Sequence, residues 1–193
     1  IEAVFTTIGE AILLVALIIF LFLRSPRATL IPLVTIPVSL IGAFALMLAM
    51  GFTINTLTLL AIVLAIGLVV DDSIVVLENI YRHIEDGMPR LQAALQGSKE
   101  IAFAVVAMTL TLAAAYAPVA FMTGRTGKLF IEFALTLAGA VLVSGFVALT
   151  LSPMMCSVLL RHETRHGKAY LWFETFFNGL AAGYRRLLSA TLQ

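Results

Sequence analysis

Leu64-Ala65-Ile66-Gly67-Leu68-Val69-Val70-Asp71-Asp72-Ser73-Ile74-Val75-Val76-Leu77 decides how this chain is read. Apart from its two aspartates the run from Leu57 to Leu77 is uncharged, and it is long enough to cross a bilayer as a helix. A carboxylate at the centre of a bilayer costs about 2.5–3.5 kcal/mol on insertion scales, so two adjacent ones need a reason, and proton or ion handling is the leading one. Depth follows from Arg82 and His83, which are expected at the polar boundary closing this helix. The ten residues from Asp72 to Arg82 span about 15 Å, half of a hydrocarbon core about 30 Å thick. If Glu78 marks the boundary instead, the acids lie one or two turns deep.

Successive helical residues are about 100° apart, so Asp71 and Asp72 are expected on neighbouring faces, unable to look together at one small ligand. Asp71 aligns with Val75 and Glu78, and Asp72 with Val76 and Asn79. Gly67, one turn before Asp71, leaves room for another helix to approach. Two carboxylates this close are expected to titrate as a coupled pair. Every Lys and Arg falls in a loop or near the C-terminus, so a counter-charge for the pair has to come from residues outside this sequence.

Composition sets the class independently. With 61% hydrophobic and 12% charged residues and a mean hydropathy of +1.07, the chain reads as an all-α integral membrane protein rather than a soluble domain. A net charge of +1 gives nucleic-acid binding no support. The single cysteine, Cys156, lies in an apolar run and forms no internal disulfide. The chain opens on Ile1 without a basic leader or small-residue cleavage site, as expected of a piece excised from a longer protein.

Five apolar segments are expected to span: 3–23, which contains Glu10; 28–50, with Pro32 and Pro37 expected to bend it; 57–77; the alanine-rich 101–122, with Pro118 near its end; and 133–160. The last has no charge and is about 42 Å long as a helix, so it must tilt, kink near Pro153 or protrude. Ala102, Ala107, Ala114, Gly139, Ser144 and Gly145 read as small packing positions where helices approach closely. The loop around 81–100 has room for a short helix after the Gly87-Met88-Pro89 break. Together these form a transmembrane bundle over residues 1–162. Beyond it, 163–193 carries Phe173, Phe176, Phe177, Leu180, Tyr184, Leu187 and Leu188 at helical spacing beside Trp172, Arg185 and Arg186, the pattern of an amphipathic helix lying in the headgroup plane.

Ten of the twelve Lys and Arg residues fall on one side of this topology, with only Arg125 and Lys128 on the other. The richer side is expected to be cytoplasmic, which puts the N-terminus outside and the C-terminus inside.

Several chemistries are disfavoured. An intramembrane aspartic protease needs two carboxylates facing each other across a substrate, and adjacent residues on one helix do not supply that geometry. Met154, Met155 and Cys156 read as apolar packing, and His83, His162 and His166 lack metal-ligand spacing. No phosphate loop, nucleophile elbow or zinc signature is present, so no enzyme, metal or cofactor is expected.

The stretch from Asn55-Thr56-Leu57-Thr58 through Leu64 to Asn79, with its double aspartate, resembles the fourth transmembrane helix of resistance-nodulation-division (RND) efflux pumps. Arg27-Ala28-Thr29-Leu30-Ile31-Pro32 and Leu151-Ser152-Pro153-Met154-Met155-Cys156 add to the likeness, which covers essentially the whole chain. The resemblance implies spans two to six of the first half of a twelve-span transporter in the bacterial inner membrane, exporting hydrophobic or amphiphilic compounds in exchange for protons. It also implies that Asp71 and Asp72 act in proton relay with a lysine and an arginine of a second half. The paired acid looks more like the drug-exporting branch than the heavy-metal branch. Such pumps often work as homotrimers joined to a periplasmic adaptor and an outer-membrane channel. The alternative is a structural or assembly bundle derived from such a pump, in which both acids are dispensable.

Overall fold

A computed structural model of the protein describes residues 2–23 and 25–160. The amphipathic stretch expected over 163–193 lies outside these residues. The described chain forms α1 (Glu2–Leu23), α2 (Pro26–Ala49), α3 (Thr56–Glu85), α4 (Arg90–Tyr116), a short 3-10 turn (Ala117–Phe121) and α5 (Gly124–Leu159). No strand occurs among the described residues. The second to fifth helices are long and apolar enough to cross a membrane, and α1 contributes a shorter apolar run, Gly9–Leu21.

Local chemistry explains where each helix starts and stops. Pro26 opens α2 at a position where a missing N–H costs nothing. The α3 start is a capping box: Asn55 Oδ1 accepts from the backbone N–H of Leu57 and Thr58, and Thr58 Oγ1 accepts from the Asn55 N–H. The opposite end of α3 turns at Gly87, whose φ of +90° suits glycine far better than any L side chain, and α4 begins directly after Pro89.

Helix boundaries differ from the sequence expectation in three places. α3 runs eight residues past Leu77, and the helix anticipated within 81–100 is the first part of α4, continuous with the fourth span. Arg90, Lys99 and Glu100 lower hydropathy there without interrupting the backbone. α5 starts at Gly124 rather than 133 and continues through Pro153; its 36 residues extend about 54 Å, well beyond the hydrocarbon thickness.

α5 packs on α2, α3 and α4, while α3 touches all four other helices. Glycines set several of these contacts. A Cβ on Gly145 would stand 2.5 Å from Thr109 Oγ1 of α4, and one on Gly139 would meet Leu46 of α2. Ala107 and Ala114, by contrast, are exposed and do not hold helices together. At Gly97 the α3 backbone itself comes close: an added Cβ would lie 3.1 Å from Ile80 Cα. Beside it Asn79 Nδ2 donates to Gly97 O at 2.8 Å, and the His83 ring nitrogen lies 2.9 Å from Glu100 Oε2, so the α3–α4 hairpin is bracketed by polar contacts next to its turn.

The apolar core falls into two clusters. One includes Ile36, Leu40, Ile62, Ile66, Val70, Leu137 and Ala140; the other includes Ala28, Ile31, Val76, Leu77, Ile80, Val105 and Ala148. Along α2, α3 and α5 alike, the residues between the two clusters include buried polar ones: Thr35, then Asp72 and Ser73, then Ser144.

Because backbone cannot retract as a flexible side chain can, Gly97→Ala is expected to destabilise the protein by about 1–3 kcal/mol. Thermal unfolding in detergent checks this, and an unchanged midpoint would show that α3 and α4 do not meet so closely.

Candidate functional site

The polar layer is assembled by three helices. On α3 the 100° step separates the two acids as the sequence predicts: Asp72 is 3% exposed and faces the core, whereas Asp71 is exposed. Asp72 stands near the middle of the 30-residue α3, between the Asn55 cap and the Gly87 turn.

Across the seam, Ser144 of α5 donates its hydroxyl towards Asp72 Oδ2 at 3.0 Å and lies 3.1 Å from the carbonyl oxygen of Val69. One hydroxyl proton thus faces two acceptors. When Asp72 is ionised, the proton goes to the carboxylate, the stronger acceptor. When Asp72 is protonated, its own O–H can donate to Ser144 Oγ, and the serine proton turns to the Val69 carbonyl, which still accepts. Rotation about one C–O bond therefore keeps Asp72 and Ser144 hydrogen-bonded in both states of the acid.

Ser73 completes the layer toward α2. Its hydroxyl lies 2.9 Å from Thr35 Oγ1, and Thr35 donates its own proton to Pro32 O at 2.9 Å, which makes Ser73 the donor in the pair. The sequence reading took Ser144 only as a packing position, and Thr35 and Ser73 carried no signal. A hydroxyl on an apolar helix looks the same in sequence whether it back-bonds to its own turn or crosses to a neighbour.

Asp71 belongs to a different surface. Leu60, Leu64, Gly67, Asp71, Glu78 and Arg82 are all exposed and recur at helical spacing, forming one open stripe on α3. Nothing comes within 4 Å of where a Gly67 Cβ would sit, so the helix expected to approach there is not one of the described five. Among the described residues no cluster of three or more His, Cys, Asp or Glu side chains converges as metal ligands. The site consists of hydroxyls and carboxylates within apolar helices.

These features define a multi-pass membrane protein with ionisable groups deep in its helical bundle. A family model described as the AcrB/AcrD/AcrF family matches residues 1–193. The chain is 58% identical over 165 residues to an uncharacterized transporter of Haemophilus influenzae, covering 86% of this chain and 16% of that protein. It is 49% identical over 192 residues to multidrug resistance protein MdtC of Escherichia coli, covering 99% of this chain and 19% of that protein. Against MdtC of Klebsiella pneumoniae it is 54% identical over 165 residues, with coverages of 86% and 16%. The chain belongs to the AcrB/AcrD/AcrF family of RND transporters, and it spans less than a fifth of the length of these relatives.

Hydrogen bonds to a carboxylate contribute more than those between neutral hydroxyls, about 1.5–3 against about 1 kcal/mol. Ser144→Ala is therefore expected to lower stability more than Ser73→Ala. Equal or reversed losses in detergent unfolding would remove the special place of the Ser144–Asp72 bond.

Proposed function

We propose that this chain is a fragment of the membrane domain of a proton-driven exporter of hydrophobic or amphiphilic compounds, in which Asp71 and Asp72 carry the protons that drive export. The observation behind this reading is the split of the pair. One acid is built into the three-helix seam, while its neighbour occupies a stripe that the described helices leave open. A carboxylate facing lipid at that depth is costly, so the stripe calls for a protein partner bearing a cation. Family membership supports a second half as its source, with a lysine and an arginine.

In this reading the transporter sits in the bacterial inner membrane with the basic loops cytoplasmic, so α3 enters from the periplasmic side at Asn55 and leaves near Arg82 and His83. Asp71 and Asp72 exchange protons between the open stripe and the seam. Loss of charge on the pair weakens its attraction to the covering cations and shifts the preferred helix arrangement, which the periplasmic parts of the pump convert into a step of export. The working assembly is a homotrimer joined to a periplasmic adaptor and an outer-membrane channel.

Export assays on the full-length transporter test this directly. Asp71→Asn and Asp72→Asn, each present in the membrane at normal abundance, are expected to abolish drug resistance and proton-coupled efflux. Wild-type export by both variants would leave a structural bundle as the better reading.

A further inference from the structure

A second polar link joins α3 to α5, far from the acidic pair. Glu132, in the third turn of α5, directs one carboxylate oxygen at the start of α3: its Oε2 accepts from Asn55 Nδ2 and from Thr53 Oγ1, both at 2.9 Å. Asn55 is the capping residue of α3, and its Oδ1 is already engaged by the Leu57 and Thr58 amides. The Asn55 amide is therefore held at both ends, by the α3 backbone at Oδ1 and by the Glu132 carboxylate at Nδ2, and an axial shift of α3 is felt at this contact.

The two links lie along the same pair of helices. α3 and α5 run parallel, and the numbering offset between bonded residues is 77 at Asn55–Glu132 and 75 and 72 at Val69–Ser144 and Asp72–Ser144. One residue of axial slip displaces a helix by about 1.5 Å. Starting from 3.0 Å, a movement of that size stretches the Ser144–Asp72 bond to about 3.4 Å if it runs across the bond and to about 4.5 Å if it runs along it, so the bond is weakened or broken. Between the links the contacts are mostly apolar, and apolar side chains resist sliding less specifically than directed bonds do.

We propose that Glu132 is a positioning residue for Asp72: by gripping the Asn55 cap and Thr53 it fixes the axial register of α3 on α5 and so keeps the Asp72 carboxyl against Ser144. The proposal deepens the proton-relay reading and rests on it for its functional meaning, but its geometric content can be tested separately. Glu132 acts through its acceptor oxygen, so an amide in its place still serves, whereas alanine does not.

The test is site-resolved labelling of the α3 carboxyls in the purified full-length transporter with dicyclohexylcarbodiimide, which reacts with protonated acids in apolar surroundings. Labelling is followed by mass spectrometry across a pH series for wild type, Ser144→Ala, Glu132→Ala and Glu132→Gln. Glu132→Ala is expected to displace the Asp72 labelling profile in the same sense as Ser144→Ala, altering the rate at a fixed pH by about threefold or more, as loss of a hydrogen bond to an acid should. Glu132→Gln should stay near wild type. Should Glu132→Ala prove too poorly folded to purify, Thr53→Val removes one of the two donors and is expected to give a smaller displacement in the same sense. A wild-type profile in Glu132→Ala, or in Thr53→Val where that variant replaces it, overturns the proposal. So does a Glu132→Gln profile as displaced as that of alanine, which would make the charge and not the bond the active feature. An unmoved profile in Ser144→Ala also sinks it, since the bond to be positioned would then carry no weight. Labelling is measured without any export, so a failure of the relay reading shows up separately, as export retained by Asp72→Asn.

Discussion

Burying the Asp72 carboxyl at a junction of helices is the constraint around which this bundle is organised. An ionisable group in apolar protein is tolerated only with directed partners, and here the partner is supplied from α5, a helix that also contacts α2 and α4. Close approach of the helices is a precondition, because a serine side chain is short. Gly139 and Gly145 flank Ser144 on α5 and admit Leu46 and Thr109 from the helices on either side. The small residues around the seam thus serve the polar contact as much as the packing.

Much of this could be read from the chain, and what could not has identifiable causes. Apolar length located the helices, and the 100° step correctly assigned Asp71 and Asp72 to different faces. Hydropathy failed at Arg90 to Glu100, since charged residues lower a window average without breaking a helix, while the Gly87-Met88-Pro89 break before α4 was legible from turn chemistry. The role of Ser144 was hidden for a different reason. Its bond to Asp72 joins residues 72 positions apart, and nothing local distinguishes a serine that packs from one that donates across an interface. Ala107 and Ala114 show the converse error: small residues on an apolar helix permit contact without creating it, and these two face outward.

The seam also divides the core. Directed hydrogen bonds at Thr35–Ser73 and Asp72–Ser144 lie between two apolar clusters that fill the bundle on either side. Apolar packing tolerates small slips and rotations, whereas a hydrogen bond is lost over about an ångström. In the proposed mechanism the polar layer is therefore where a change of protonation acts on helix arrangement, because its contacts are sensitive to geometry while the clusters on both sides stay filled.

Adjacency of the two acids gains a physical meaning in this setting. A single carboxyl on the seam would be shielded from whatever covers the open stripe, and a single carboxyl on the stripe would have no hold on the core. Neighbouring residues on one helix lie close enough for the charge of one to act on the other through low-dielectric surroundings, where Coulomb interactions far exceed their strength in water. Asp71 looks out along Gly67 and Glu78, and Asp72 looks in at Ser144. In the proposed mechanism the pair converts an event at the outer face into a change of hydrogen bonding inside. That conversion requires α3 to stay in register with α5, because the inner half of the signal passes through one serine hydroxyl.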